Sequence, residues 1–455
     1  MVIFLDKVLV IFENLISGSL PFAMLLIGGI FLTVKGRFFQ ISGLVKSFSL
    51  VKKAVFSKDK SQKGVSSFQA ACTSLSATVG TGNIVGVAGA VSLGGAGAVF
   101  WMWVSAFLGM AVKYGEISLA IKYRNEEKLK GGPMYYIKAA MPEGFKKISV
   151  LFCLGALPAV ICGGNMTQTN AAITSVTSNY NLKLFSGVVF AFFTWLSLKG
   201  GIRRIGNITE KLVPIMSLVY IILSFCVIFF NIKGLPNIFY MIFKGAFSPK
   251  AVTGGAIGSV MRTAIIGASR GVFSNEAGLG TSGMSHSVAY DANHKTQGYF
   301  GIFEVFIDTI VICTLTALTI LSSGVKINYG KDLSSVLVID ALSTVFGGFS
   351  RTLIAFMMCI FAFSSVIGWA VYGKICVDFI KSDFLMKLFV ITYPLFCILG
   401  AVCDTAYIWR MASFFNGIML IANLPSVIYL SDKFLKSENK KDDRKKIKGF
   451  KRRDR

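Results

Sequence analysis

Ser74–Gly89 reads SLSATVGTGNIVGVAG, and Gly267–Gly283 reads GASRGVFSNEAGLGTSG. Both lie in long apolar surroundings, yet both are too rich in Gly, Ser, Thr and Asn to be plain lipid-facing helices. Backbone released from a helix cannot face lipid, because each unsatisfied N–H or C=O there costs several kcal/mol. A break inside a bilayer is therefore tolerated only where it lines a cavity or is buried against protein. It leaves N–H groups at one half-helix end and C=O groups at the other, which suit a carboxylate and a cation respectively. Close packing is the rival use for such glycines, and Gly82 with Gly86 forms a GxxxG pair of the kind that lets helices approach. Two such stretches in matching positions, each carrying side-chain oxygens, favour a binding site.

The matching positions emerge from the rest of the chain. Its 455 residues are 54% hydrophobic and only 15% charged, with 47 Lys+Arg against 22 Asp+Glu and a net charge of +25. Soluble domains carry about a quarter of their residues as charges, so an ordinary cytosolic enzyme, a disordered chain and a disulfide scaffold are excluded. A nucleic-acid partner is not indicated either, because long apolar runs separate the basic residues. Roughly 20 apolar residues span a bilayer core, and eleven segments qualify: 10–34, 66–92, 96–121, 148–174, 184–199, 211–231, 255–285, 298–322, 351–380, 384–403 and 406–431. The reading is an all-α polytopic membrane protein with eleven transmembrane helices. The first is retained rather than cleaved, since Lys35 and Arg37 flank a long apolar run.

Setting the first span aside leaves ten, and the two Gly-rich stretches open the first and second sets of five. Five is odd, so the second set enters the membrane in the opposite sense. That is an inverted repeat, 66–231 against 255–431, with the first and sixth core helices broken at its centre. Residues 1–65 supply the extra N-terminal helix and a basic loop, and 432–455 a basic tail. With the N-terminus outside, 35 of the 47 basic residues fall on inner connections (35–65, 122–147, 199–211, 286–297, 374–387) and the tail, as the positive-inside rule requires. The C-terminus is then cytoplasmic, in a cell membrane. The tail either touches anionic headgroups or is a solvated retention flank.

Gly94–Gly109, reading GGAGAVFWMWVSAFLG, resembles the signature of the alanine or glycine:cation symporter family. The resemblance extends in order over roughly residues 64–410, through GTGNIVGVAGA, KYGEISLAIKYR, GGPMYY, SRGVFSNEAGLGTS and FAFSSVIGWAVYG. It implies the LeuT-type 5+5 inverted repeat and sodium-coupled uptake of alanine or glycine by alternating access, with protons as the alternative coupling ion. Sodium is thus the expected coupling ion; no cofactor and no obligatory protein partner are indicated.

The substrate carboxylate is expected against freed N–H groups at Gly80, Thr81 and Gly82, beside Thr78, with Asn83 offering an amide oxygen and donors. The second break offers Phe273, Ser274 and Asn275 to the substrate; by resemblance Phe273 faces the substrate side chain, Gln168 lies beside the substrate, and Trp369 walls the pocket. The resemblance also maps a sodium site onto the backbone carbonyls of Ser76 and Val79 and the hydroxyls of Ser364 and Ser365. The family more often has threonines at the last two positions, and the bland role for serines there is back-bonding to the preceding turn. Ser274 and Glu276 mark a possible second cation or proton site. Ionisable residues within spans are functional candidates by default. Lys113 and Glu116 read as an ion pair on one helical face, Arg270 and Glu276 flank the break within the second stretch, and Glu304 and Asp308 share a face.

Two rival classes are weaker. A membrane enzyme would want His or Cys clusters, but His286 and His294, the two histidines, lie in or near an inner loop, and no HExxH, CxxC or phosphate-loop motif occurs. A passive channel would need no ion gradient.

Overall fold

The computed structural model describes residues 20–56, 64–253, 259–331 and 334–436. Residues 10–19 of the expected first span, 254–258 of the seventh and the tail from 437 onward lie outside the described residues. What is described is helical apart from isolated bridges at Val65–Ala289 and Asn125–Lys130. Eight helices are long and apolar enough to cross a membrane, or ten if each of two bent pairs is one span. The protein is a multi-pass membrane protein.

The first bent pair is α1 (Leu20–Lys35) and α2 (Phe39–Phe56), which turn 83° between them. Here the sequence reading needs correction, since 35–65 was expected as a loop. Lys46, Lys52 and Lys53 make α2 too polar to cross a bilayer. Yet Ile41, Val45 and Phe48 recur at helical spacing and stay exposed, so the segment has one apolar face and folds as a helix. α1 rests on two neighbours at consecutive glycines. A methyl on Gly28 would stand 2.9 Å from Ile428, and one on Gly29 2.7 Å from Leu108. At its end Lys35 donates to Ser431 at 2.8 Å and pairs with Asp432 at 3.0 Å.

The second bent pair holds the first Gly-rich stretch. α3 (Ser67–Thr78) starts on a capping box, in which Ser66 accepts from the Gln69 N–H and the Gln69 side chain accepts from that of Ser66. It stops at Val79, and after a single 3₁₀ turn at Thr81–Asn83 the chain resumes as α4 (Val85–Gly94), 54° away. α5 (Gly97–Lys122) then crosses the centre of the bundle and is almost wholly buried.

α6 (Ile148–Ile161) and α7 (Thr167–Val176) form one long helix opened by a π turn at Cys162–Met166. α8 (Tyr180–Lys199) and α9 (Gly201–Phe230) follow, then α10 (Leu235–Phe247). Residues 201–211, expected in an inner loop, are the first turns of α9; the chain reverses at Gly200–Gly201, where Gly201 has φ +71°.

α11 (Val260–Asn275) ends at the second Gly-rich stretch, and α12 (Thr281–Ser287) resumes beyond it. α13 (His294–Val305) continues through a π turn at Phe306–Cys313 into α14 (Thr314–Ser322). Three long helices close the described chain: α15 (Ser350–Ile380), α16 (Asp383–Val402) and α17 (Thr405–Tyr429).

Small residues let the central helices touch backbone to backbone. A Cβ on Gly97 would lie 2.1 Å from the Gly245 carbonyl carbon of α10, and one on Gly267 2.2 Å from the Ala98 carbonyl oxygen. Gly267→Leu is therefore expected to lower the thermal midpoint of the purified protein, by the ~1–3 kcal/mol or more that overpacking costs. Gly144→Ala is the control, with nothing near its Cβ; equal midpoints for the two would refute the packing role.

Candidate substrate and cation site at two helix breaks

The first break is held open by side-chain oxygens. Gly80 adopts an extended conformation (φ −132°, ψ −159°), and its N–H donates to Asn83 Oδ1 at 2.9 Å. The Thr81 N–H and hydroxyl both donate to Gln168 Oε1, at 3.1 and 2.8 Å. Two of the N–H groups that the sequence assigns to a substrate carboxylate are thus satisfied by amide oxygens, which are close chemical stand-ins for carboxylate oxygens. The Thr78 hydroxyl back-bonds to the Ser74 and Leu75 carbonyls.

The second break depends on left-handed backbone. Glu276 ends α11 at φ +58°, and Gly278 and Gly280 follow at +93° and +77°. Glycine adopts that region without steric cost, whereas a non-glycine residue there is uncommon. Asn275 caps its own break, accepting from the Ala277 N–H at 3.0 Å and donating to Thr309 at 3.1 Å. The Glu276 carboxylate accepts from the Thr281 hydroxyl at 2.6 Å.

Asn83 joins the two breaks. Its Nδ2 lies 2.9 Å from Ser274 Oγ and 2.7 Å from Asp308 Oδ1, and the Ser274 hydroxyl donates to Asp308 Oδ2 at 2.7 Å. The Asp308 carboxylate also accepts from Thr309. Asn83, Ser274 and Asp308 are all buried.

A charged cluster sits one layer further along. Lys113 of α5 does not pair with Glu116, contrary to the sequence reading. Its ammonium donates to the Asn275 carbonyl at 2.9 Å, capping the end of α11, and lies 3.3 Å from Glu304. A cation at a helix C-terminus is favoured by the dipole. Glu304 also accepts from Ser74 of α3 and lies 2.5 Å from His286 Nε2. His286, expected in or near a loop, is fully buried in α12. Glu116 instead accepts from the Gly280 N–H and from Asn423. The i,i+3 spacing of Lys113 and Glu116 gave no hint that each turns toward a different part of the second break. Glu304 and Asp308 diverge as well: the π turn starts between them and aims Asp308 at Asn83.

The hydroxyls of Ser364 and Ser365 on α15 are fully buried and have no hydrogen-bond partner. A Cβ on Gly80 would stand 2.4 Å from Ser365 Oγ and 2.9 Å from Gln168 Oε1. Orphaned buried hydroxyls are rare and call for a ligand or strain to explain them. α15 reaches α3 through Gly368, where a Cβ would lie 2.5 Å from Ser76 Oγ. Ser76 itself back-bonds to the Thr73 carbonyl, and Val79 is fully buried.

A cavity of about 630 Å³ lies beside this centre, lined by the start of α1, the end of α4, the middle and last turns of α11, Leu279 of the second break and the first half of α17. Phe273 lines it, stacks on Trp409 with centroids 4.8 Å apart, and stands 3.6 Å from the place of a Cβ on Gly82. Trp369 is not in its wall; it packs on Gly164 in the π turn, leaning edge-on against Tyr372. Sequence reasoning missed Trp409 and Asn416, since nothing in α17 stands out from its apolar neighbours.

Membrane-length helices, two of the segments between them interrupted about a buried polar centre, define a multi-pass transporter. The fold is that of LeuT-type carriers: the crystal structure of MhsT in complex with L-phenylalanine aligns at a TM-score of 0.54 and 13% identity, covering 81% of this chain and 97% of that one. The family model described as the sodium:alanine symporter family matches residues 2–453, and the chain belongs to that family. It is 38% identical over 430 residues to the sodium/alanine symporter AgcS of Methanococcus maripaludis, covering 92% of this chain and 93% of the relative. It is 35% identical over 413 residues to the amino-acid carrier protein AlsT of Bacillus subtilis, covering 90% and 86%. The family is one of transporters rather than enzymes.

Proposed function

We propose that the chain carries a small neutral amino acid, alanine or glycine, into the cell by sodium-coupled alternating access. The observation that carries this reading is the unpartnered, fully buried hydroxyl of Ser365 against Gly80 at the first break, next in the chain to the equally buried and unpartnered hydroxyl of Ser364. Sodium takes hard oxygen ligands, and on this reading the Ser76 and Val79 carbonyls and these hydroxyls would supply them. An ion there binds α3 to α15, so it favours whichever conformation brings the two together.

On this reading the substrate carboxylate replaces Gln168 Oε1 at the Thr81 N–H, beside Thr78, Gly80 and Gly82. The released Gln168 amide, with Asn83 and Asn275, then serves the ammonium. Phe273 and Trp369 limit the side chain to a methyl or a hydrogen. The names of the relatives support amino-acid symport. The eleven-span arrangement, with inverted halves 66–231 and 255–431, the N-terminus outside and the C-terminus in the cytoplasm of a cell membrane, goes with it.

Labelled alanine uptake into proteoliposomes tests the proposal. An inward sodium gradient should drive accumulation, and Ser364→Ala with Ser365→Ala should remove the sodium stimulation. Sodium dependence that survives the double substitution would sink this ion site. Proton coupling is the second reading, favoured by the buried carboxyl groups of Glu276 and Asp308, with Ser274 and Glu276 as the corresponding cation or proton site. It predicts uptake that follows an imposed pH gradient without sodium.

A further inference from the structure

α2 keeps three strips along its length. Phe39, Gly43 and Ser47 are buried; Ile41, Val45 and Phe48 are apolar and exposed; Ser42, Ser49 and Lys53 are polar and exposed. The buried strip is fixed to α5 and α13. A Cβ on Gly43 would stand 2.7 Å from Ile302, and Phe39 meets Tyr114 edge-on with centroids 4.8 Å apart. From the edge of the apolar strip Phe48 reaches Phe303, at 5.3 Å between centroids. The turn from α1 is fixed as well. Arg37 and Phe38 follow each other at φ +54° and +56°, a region that side chains enter only at a steric cost, so the 83° bend is built into the chain rather than slack.

What covers the apolar strip follows from its neighbour. Ile27, Ile30 and Val34 of α1 are more than half exposed, and their strip continues through Phe38 into Ile41 and Val45. Lipid against the first part therefore reaches the second. At 83° to α1, α2 lies near the membrane plane, where a helix with one apolar and one basic side belongs. A second copy of the chain fits less well. α2 carries Lys46, Lys52 and Lys53 and no acidic residue, so two such faces would bring like charges together, whereas anionic headgroups are complementary. We propose that α2 docks on anionic phospholipid of the leaflet where α1 and α17 end. Its apolar strip enters the acyl boundary. The exposed Lys52 and Lys53, near the end of the helix, lie at the headgroups with their stems along the apolar surface. The inference does not rest on the transport reading.

The test uses the full-length protein with Val45→Cys or Ser49→Cys, each labelled with bimane and compared with the labelled parent to correct for the nine native cysteines. It is reconstituted into vesicles of phosphatidylcholine, alone or mixed with phosphatidylglycerol, whose acyl chains carry bromine as a contact quencher. The label at Val45→Cys should be quenched strongly and that at Ser49→Cys weakly, with the larger contrast in the mixed vesicles. Lys52→Gln with Lys53→Gln should lower the docking equilibrium by about fivefold for each lysine and bring quenching in the mixed vesicles down to its neutral-lipid level. All four positions are exposed, so the fold is not at stake. Equal quenching at the two labelled positions would overturn the in-plane placement. Quenching that ignores both phosphatidylglycerol and the lysine substitutions would overturn the anionic-lipid contact. A dimer cross-linked through Val45→Cys, with no quenching, would overturn the proposal by giving the face to a second copy.

Discussion

Lys113→Met should cost more stability than any other single substitution considered. The ammonium is fully buried, caps the end of α11 at the Asn275 carbonyl and faces Glu304. Removing it leaves a carboxylate charge in the interior and a helix-end carbonyl without its donor. Breaking a buried pair from one side costs about 3–5 kcal/mol, a large share of the ~5–15 kcal/mol that holds most proteins folded. The variant should melt far below the parent in detergent and yield little protein. Lys113→Met combined with Glu304→Gln should recover a substantial part of the loss, because the amide keeps contacts to Ser74 and His286 without a buried charge. Such non-additivity is the signature of residues that share one network. If the two losses simply add, the pairing with Glu304 contributes nothing.

Gly80→Ala should abolish uptake and leave the fold nearly intact. The extended conformation of Gly80 suits any residue, so the backbone is not the obstacle. The obstacle is the added methyl, 2.4 Å from Ser365 Oγ and 2.9 Å from Gln168 Oε1. It displaces one residue of the proposed sodium site and one of the proposed substrate site at once. Displacements of about 1 Å in a reacting geometry cost ~100-fold, and the initial rate of alanine uptake should fall at least that far. Gly82→Ala is the matched comparison. Its methyl would meet Phe273 at 3.6 Å, an ordinary contact, and uptake should fall far less than in Gly80→Ala. Equal loss in the two variants would show that any side chain in this turn is harmful, and that Ser365 and Gln168 are not the reason.

The fold was legible because two independent signals agreed. Apolar length located the eight long helices, and the Gly-rich stretches located both interruptions within a few residues. Bilayer physics makes these signals strong, since backbone groups have no water to fall back on. Part of the residue clustering behind the proposed site was legible. Gly80, Thr81, Gln168 and Ser365 do converge, and Asn83 meets Ser274. What stayed hidden is the direction of long polar side chains. Lys113 and Glu116 share a helical face by spacing, but one reaches the carbonyl of Asn275 and the other the N–H of Gly280. His286 lies among Ser, Thr and Gly, a composition that reads as a loop, and only tertiary contact with Glu304 reveals it as core. α2 was missed for a related reason. Three lysines make its average polarity loop-like, although its apolar residues keep helical spacing.

The consecutive glycines of α1 have a mechanical consequence. Gly28 admits α17 and Gly29 admits α5, so one thin helix leans on one member of each proposed half, with Lys35 lashed to the end of α17. If the proposed halves tilt against each other in the proposed transport cycle, the distance between α5 and α17 should change least where both are pressed to the same glycine pair. On that reading α1 would work as a pivot pin between α5 and α17.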